Sequence, residues 1–198
     1  ACPAGTTNAA GDDPSGSDTT CYAKVGYRST ACVGATFACA ILDDRTTVCW
    51  GGDDEGVLGN GGGSDYIGDG NKYSQTGNYT DDNFVSEMGD ALVPIDFGTD
   101  DGTVLTAKSI DCGETHTCAV LSDDTVKCWG ESSDGRLGNG DGNDDIGDDD
   151  GEMGNVLVAV DLGTDDFGTN LTAKSVSAGD RHTCAVLSDD TIKCWGYN

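Results

Sequence analysis

One phrase is spelled three times in this chain, and the repetition constrains the fold more than any other feature. "HTCAVLSDDTVKCWG" at 116–130 returns as "HTCAVLSDDTIKCWG" at 182–196, and a looser copy, "FACAILDDRTTVCWG", occupies 37–51. Each copy carries two cysteines at the same spacing: Cys39 and Cys49, Cys118 and Cys128, Cys184 and Cys194. Self-similarity of this kind marks a repeat architecture, in which one supersecondary unit recurs and neighbours bury each other's apolar faces.

The phrase itself reads as a β-hairpin. "TCAVL" and "TVKCW" are short runs of β-formers separated by Ser122-Asp123-Asp124, a turn-prone triplet. A three-residue loop, built as a type I turn closed by a left-handed residue, puts Asp124 at the left-handed position, which Asp tolerates better than most residues. Leu121 then faces Thr125, Val120 faces Val126, and Cys118 falls opposite Cys128. Opposed residues on antiparallel strands lie within disulfide range, so the register predicts Cys39–Cys49, Cys118–Cys128 and Cys184–Cys194 as hairpin staples.

A second phrase recurs between the hairpins. "LGNGGGSDYIGDG" at 58–70 matches "LGNGDGNDDIGDD" at 137–149, each followed by "EMG", an apolar run and "LTAKS". The apolar runs and the "AKSI" and "AKSV" segments read as further strands, giving about four short strands per unit. Trp50, Trp129 and Trp195 mark the unit lengths, and the excess of the first falls near 71–85, a polar insertion expected to be an exposed loop. That insertion carries the sequon Asn78-Tyr79-Thr80. Asn170-Leu171-Thr172 is a second sequon, and both asparagines are candidate glycosylation sites in a secreted protein.

"AGDRHTCAVLSDDTIKCWG", with "GRLGNG" elsewhere, resembles the regulator-of-chromosome-condensation repeat, the unit of a seven-bladed β-propeller. The "IGD…EMG…VDLGT" stretch is similar to a secreted, cysteine-containing variant of it. The resemblance covers about residues 31–198, whereas residues 1–30 form an N-terminal extension without a recognised phrase. It implies four-stranded blades and a binding or scaffolding surface. It does not imply nucleotide exchange or chromatin binding, which belong to a nuclear branch. The expected fold is therefore all-β, with three disulfide-stapled propeller-type blades in an incomplete or open stack. Such a stack exposes sheet faces and strand edges, which natural proteins avoid leaving bare. Either a longer chain or another copy is expected to cover them.

Charge and cysteine usage narrow the function classes. With 10 Lys and Arg against 36 Asp and Glu, the formal charge is −26. Binding to nucleic acid or anionic lipid rests on basic contacts, so neither is expected, while divalent cations or a cationic partner suit the surface. No apolar run approaches the roughly 20 residues of a membrane helix. The chain starts at Ala1, read as a processed mature protein or an excised piece. Ten cysteines in register with the repeat suggest a disulfide framework in an oxidising compartment. Cys32 and Cys112 lie just upstream of successive hairpins and are assigned as a bridge between blades, leaving Cys2–Cys21 for the N-terminal segment. Four cysteines allow three pairings, so these two bridges rest on position alone. Zinc, the rival reading, wants closer ligand pairs than the hairpins offer.

The residues give no catalytic constellation. His116 and His182 occupy one repeat position where Phe37 stands in the first unit, and they read as strand residues satisfying backbone groups. The three tryptophans read as blade-packing residues, with a sugar-stacking platform as the alternative. The acidic run at 141–152 places carboxylates at several EF-hand ligand positions, but Ile146 stands where the loop needs Gly and no helices flank it. A looser calcium site at Asp144, Asp148 and Glu152, with counterparts Asp65, Asp69 and Glu87, is set against a plain solvated loop. The reading is an extracellular structural or assembly protein, associating with copies of itself head-to-tail into a filament or surface appendage. The alternative is a secreted binding propeller, an inhibitor or lectin-like recogniser, of which this chain is a part. An enzyme finds no support in any residue.

Overall fold

The computed structural model describes residues 31–61, 67, 88, 92–140, 142 and 144–197, and the backbone of residues 6–8 and 21–23. Strands β1 (Thr6–Asn8) and β2 (Cys21–Ala23) pair antiparallel, with Asn8 opposite Cys21. Three sheets of one design follow. Blade 1 comprises β3 (Ala31–Val33), β4 (Phe37–Ile41) and β5 (Thr47–Gly51). After a small hairpin of β6 (Thr99–Asp100) and β7 (Thr103–Val104), blade 2 comprises β8 (Ala107–Cys112), β9 (His116–Leu121) and β10 (Val126–Gly130). Blade 3 comprises β11 (Ala173–Ala178), β12 (His182–Leu187) and β13 (Ile192–Gly196). Each blade is a three-stranded antiparallel meander with its middle strand in the second position. The fold is all-β with no closed barrel, and no described helix is long and apolar enough to cross a membrane.

Local chemistry sets the hairpins. Asp123 Oδ1 accepts from the Thr125 backbone N–H at 3.0 Å and from its hydroxyl at 2.7 Å, and Asp189 does the same for Thr191. The third loop residue takes the left-handed conformation in each blade: Arg45 at φ 75°, Asp124 at 66° and Asp190 at 68°. Aspartate accepts that region more readily than most residues, and Arg45 adopts it without that help. The register puts Cys39 opposite Cys49, Cys118 opposite Cys128 and Cys184 opposite Cys194. All three pairs are disulfides, with Cα atoms 4.1, 4.1 and 4.0 Å apart.

The fourth strand is reduced. The segments after the first two hairpins return to the outer edge of their own blade, where Ile95 N–H donates to Thr47 and Val160 N–H donates to Val126. In blade 1 the contact is a single bridge from Val48 to Pro94, and proline has no N–H with which to continue the ladder. The inner strands of blades 2 and 3 share a bulge at Lys108 and Lys174, which pair with Asp124 and Asp190 of the adjoining turns at 2.7 and 2.6 Å. These partners are well exposed, so the pairs orient the bulge more than they stabilise it.

The core lies between blades rather than within one. Phe37, Val57, Leu58, Ile110, Leu121 and Trp129 fill the space between blades 1 and 2, with Trp129 edge-on to Phe97 at 5.7 Å. Val120, Val126, Leu137, Ala185 and Leu187 fill the space between blades 2 and 3. Blade 2 is therefore covered on both faces, and every residue of β9 and β10 is buried.

Candidate interaction surface

One set of contacts joins each blade to the next. Trp129 Nε1 of blade 2 donates to the carbonyl of Val57 at 2.9 Å, and Trp195 Nε1 of blade 3 donates to the carbonyl of Arg136 at 2.9 Å. Val57 and Arg136 stand at the same point of the turn that follows each hairpin. Two residues later Gly59 and Gly138 have φ of 61° and 69°, and an added Cβ there would come within 3.0 and 2.7 Å of the indole nitrogen. The "LGNG" phrase is thus the seat for the next blade's tryptophan. A threonine supports the same carbonyls, Thr117 at 3.4 Å from Val57 and Thr183 at 3.0 Å from Arg136.

The repeated histidine belongs to this junction. His116 Nε2 lies 2.8 Å from Thr183 Oγ1 of the next blade. The hydroxyl has one proton and gives it to the Arg136 carbonyl, so the imidazole must donate from Nε2. Burial first, and then the Arg136 charge, lower the His116 pKa from 6.5 to about 4. The histidine is therefore neutral and its partner is a side chain of the neighbouring blade, not the backbone group expected from sequence. His182, its counterpart in blade 3, is exposed. Arg136 is buried yet fully engaged, with Nη1 donating to Glu131 at 2.6 Å and Thr115 Oγ1 at 2.7 Å, and Nε to the Ser133 carbonyl at 2.9 Å. Lys127 Nζ likewise reaches two carbonyls, Phe97 and Gly154, each at 2.9 Å. Lys127 had no signal in the sequence, because both of its partners are main-chain oxygens brought in by the fold.

Near the inner strands the two junctions use different chemistry at one position. Cys32 bonds Cys112 across blades 1 and 2, with Cα atoms 5.4 Å apart. Between blades 2 and 3, Asp111 Oδ2 accepts from the Ala178 N–H at 2.9 Å. Cys32 and Asp111 both sit opposite the first hairpin cysteine of their blade, Cys39 and Cys118. Cys2, Asn78, Asp65, Asp69 and Glu87 lie outside the described residues, as does the side chain of Cys21. Asn170 is exposed and bridges Thr164 through the backbone.

Among the described residues, Asp144, Asp148 and Glu152 do not bring their donor atoms within 4.8 Å of one another. Among the described residues, three cysteines, Cys32, Cys39 and Cys112, are the one group of three ligand-type residues with donor atoms within 4.8 Å of one another. Their sulfurs are held in disulfides. Glu152 turns inward to accept the Gly147 and Asp149 N–H groups at 2.8 and 3.2 Å, which ties its carboxylate to the loop backbone. Asp144 is exposed. Asp148 has a raised pKa, chiefly from burial. Glu152 thus organises its own loop, with Asp148 beside it.

Blade 3 leaves exposed the face whose counterpart on blade 2 is buried. Val126 of β10 is fully buried, whereas its counterpart Ile192 of β13 is 66% exposed. The disulfide Cys118–Cys128 is buried, while Cys194 is exposed. Tyr197 adds a further exposed aromatic residue beside this edge. On the rim, Glu114 of blade 2 lies beside Asp180, and the hydrogen bond between the two side chains raises the Glu114 pKa.

Residues 107–136 and 173–198 match the model of the Regulator of chromosome condensation (RCC1) repeat. A stretch of 90 residues is 31% identical to the ultraviolet-B receptor UVR8 of Arabidopsis thaliana, covering 46% of this chain and 17% of the receptor. Among solved structures, Prp20p of Saccharomyces cerevisiae is similar at a TM-score of 0.51 and 14% identity, over 84% of this chain and 32% of that one. Human WBSCR16 gives a TM-score of 0.48 at 19% identity, over 83% and 33%. The chain thus spans about a third or less of the length of these three proteins. Matched phrases, blade design and topology agree: the chain carries RCC1-type β-propeller repeats, in a cysteine-stapled form.

Proposed function

We propose that this chain is a non-catalytic, extracellular structural module that associates with copies of itself head-to-tail, into a filament or surface appendage. The supporting observation is the contrast between equivalent positions, Val126 fully buried and Ile192 66% exposed. The exposed Ile192 and Tyr197 are apolar, and covering them removes apolar surface from water at roughly 25 cal/mol per Å². The occupant of the blade 3 face is a second copy, presenting its N-terminal region, residues 1–30. Heterologous contacts of that kind propagate unless the rotation closes a ring. Four described disulfides suit an oxidising compartment. Glycans on Asn78 and Asn170 would suit the same setting, and the net charge of −26 opposes lateral clumping and nucleic-acid binding. Divalent cations act here as diffuse counter-ions that soften repulsion between copies.

The test is size against concentration, with residues 1–30 present and deleted. The full chain is expected to elute large on its own, and the truncated chain to remain small while keeping its disulfides. A full chain that stays a discrete monomer at high concentration sinks the reading and favours the alternative, a secreted binding propeller that waits for a different partner.

A further inference from the structure

The junction between blades 1 and 2 gathers four sulfur atoms where the next junction has two and a carboxylate. Cys39 is the register partner of Cys49 on one side and of Cys32 on the other. The sulfurs of Cys32, Cys39 and Cys112 all lie within 4.8 Å of one another, although they belong to two different disulfides. In blades 2 and 3 the residues facing the first hairpin cysteine are Asp111 and Ser177, so no third sulfur is present there. Cross-strand cysteines in direct opposition satisfy disulfide geometry. Cys39 therefore has two permissible partners, Cys49 as observed and Cys32 as an alternative. Exposure orders the attack, since Cys32 and Cys112 are each 8% exposed against 0% for Cys39 and 3% for Cys49.

We propose that Cys32, Cys39, Cys49 and Cys112 form a thiol–disulfide interchange centre, in which a dithiol reductant opens the tie between blades 1 and 2 and the bond reappears within blade 1, between Cys32 and Cys39. The first thiolate of the dithiol attacks Cys112 Sγ, and the electron pair of the broken bond leaves on Cys32 Sγ. The Cys32 thiolate attacks Cys39 Sγ, forming Cys32–Cys39 and expelling Cys49 as a thiolate, which takes up a proton. The second thiol of the reductant then resolves the mixed disulfide at Cys112, leaving a Cys112 thiol and the oxidised, cyclic reductant. Two protein disulfides become one, two electrons and two protons come from the dithiol, and nothing else is consumed. The result uncouples blade 1 from blade 2 covalently while keeping β3 pinned to β4. The partner it fits is a thiol–disulfide oxidoreductase or a small dithiol.

Limited reduction of the folded, unaltered chain with one equivalent of dithiothreitol, followed by acid quenching, thiol alkylation and peptide mapping, tests this. The expected products carry alkyl groups on Cys49 and Cys112 and contain a linked Cys32–Cys39 peptide. Alkylation of Cys32 and Cys112 with Cys39–Cys49 intact overturns the proposal, as does alkylation of Cys39 and Cys49 with Cys32–Cys112 intact. A second measurement needs no reductant. In Cys112→Ser, Cys32 is born as a thiol beside Cys39–Cys49, so the free thiol is expected at Cys32 in some molecules and at Cys49 in others. A free thiol confined to Cys32 overturns the transfer step.

Discussion

Two buried or paired side chains set opposite pH limbs, and one hydroxyl ties blades 2 and 3. His116 is lowered to about 4 from 6.5, so between those values the unfolded chain binds a proton that the folded chain refuses. Its contribution to stability is complete above about pH 6.5 and declines as the pH falls toward 4, by at most about 3 kcal/mol. Glu55 runs the other way: its hydrogen bond to Asp145, then burial, raise it from 4.5 to about 7. Its contribution is complete below pH 4.5 and is lost as the pH rises through 7. Denaturant titrations across pH are therefore expected to show a flatter acid limb in His116→Phe, the residue type that blade 1 has at this position. In Glu55→Gln they are expected to show a smaller loss between pH 4.5 and 7, and unchanged slopes in both variants would contradict the assignments. Thr183 joins His116 to the Arg136 carbonyl, so Thr183→Val leaves the buried His116 N–H without its acceptor, while the carbonyl keeps the Trp195 indole. Its cost is expected at about 1–3 kcal/mol by the same titration at pH 7.

At the scale of elements, the disulfides differ in what they hold. Cys32–Cys112 closes a separation of 80 residues and each hairpin staple a separation of 10. On chain entropy alone the long tie contributes about 4.5 kcal/mol and a staple about 2.7. Removing Cys32 and Cys112 together is expected to destabilise the chain by about 2 kcal/mol more than removing Cys118 and Cys128, measured by thermal or denaturant unfolding. Equal losses would mean that the blade junction holds without its covalent tie. The hairpins were legible in the sequence because turn chemistry and period-two patterning act over a few neighbouring residues. From Ser122-Asp123-Asp124 the register of the β9–β10 hairpin follows. The junction was only half legible. The "LGNG" phrase was visible as a repeat, but its purpose, seating the next blade's indole against Gly59 or Gly138, depends on contacts far apart in the chain. The carbonyl acceptors at Val57 and Arg136 leave no mark in residue identity at all. For the same reason sequence spacing cannot show that Glu152 Oε2 accepts two backbone N–H groups of its own loop.

For the whole molecule, the repeated junction is the unit from which an assembly would be made. Blade 2 shows what a covered blade looks like, and blade 3 shows the same strands uncovered, down to the exposed Cys194 and Ile192. Association at that face brings together chains each bearing a charge of −26, so it is expected to strengthen with salt and more steeply with divalent cations. Sedimentation at low and physiological ionic strength checks this, and association favoured by low salt would contradict it. The central claim is that copies stack head-to-tail through the blade 3 face, and electron microscopy of the native protein without any added partner tests it most directly. The account predicts unbranched filaments with one chain per axial repeat, lost when residues 1–30 are deleted. A field of discrete particles the size of a single chain, at concentrations well above those used for sizing, would contradict it.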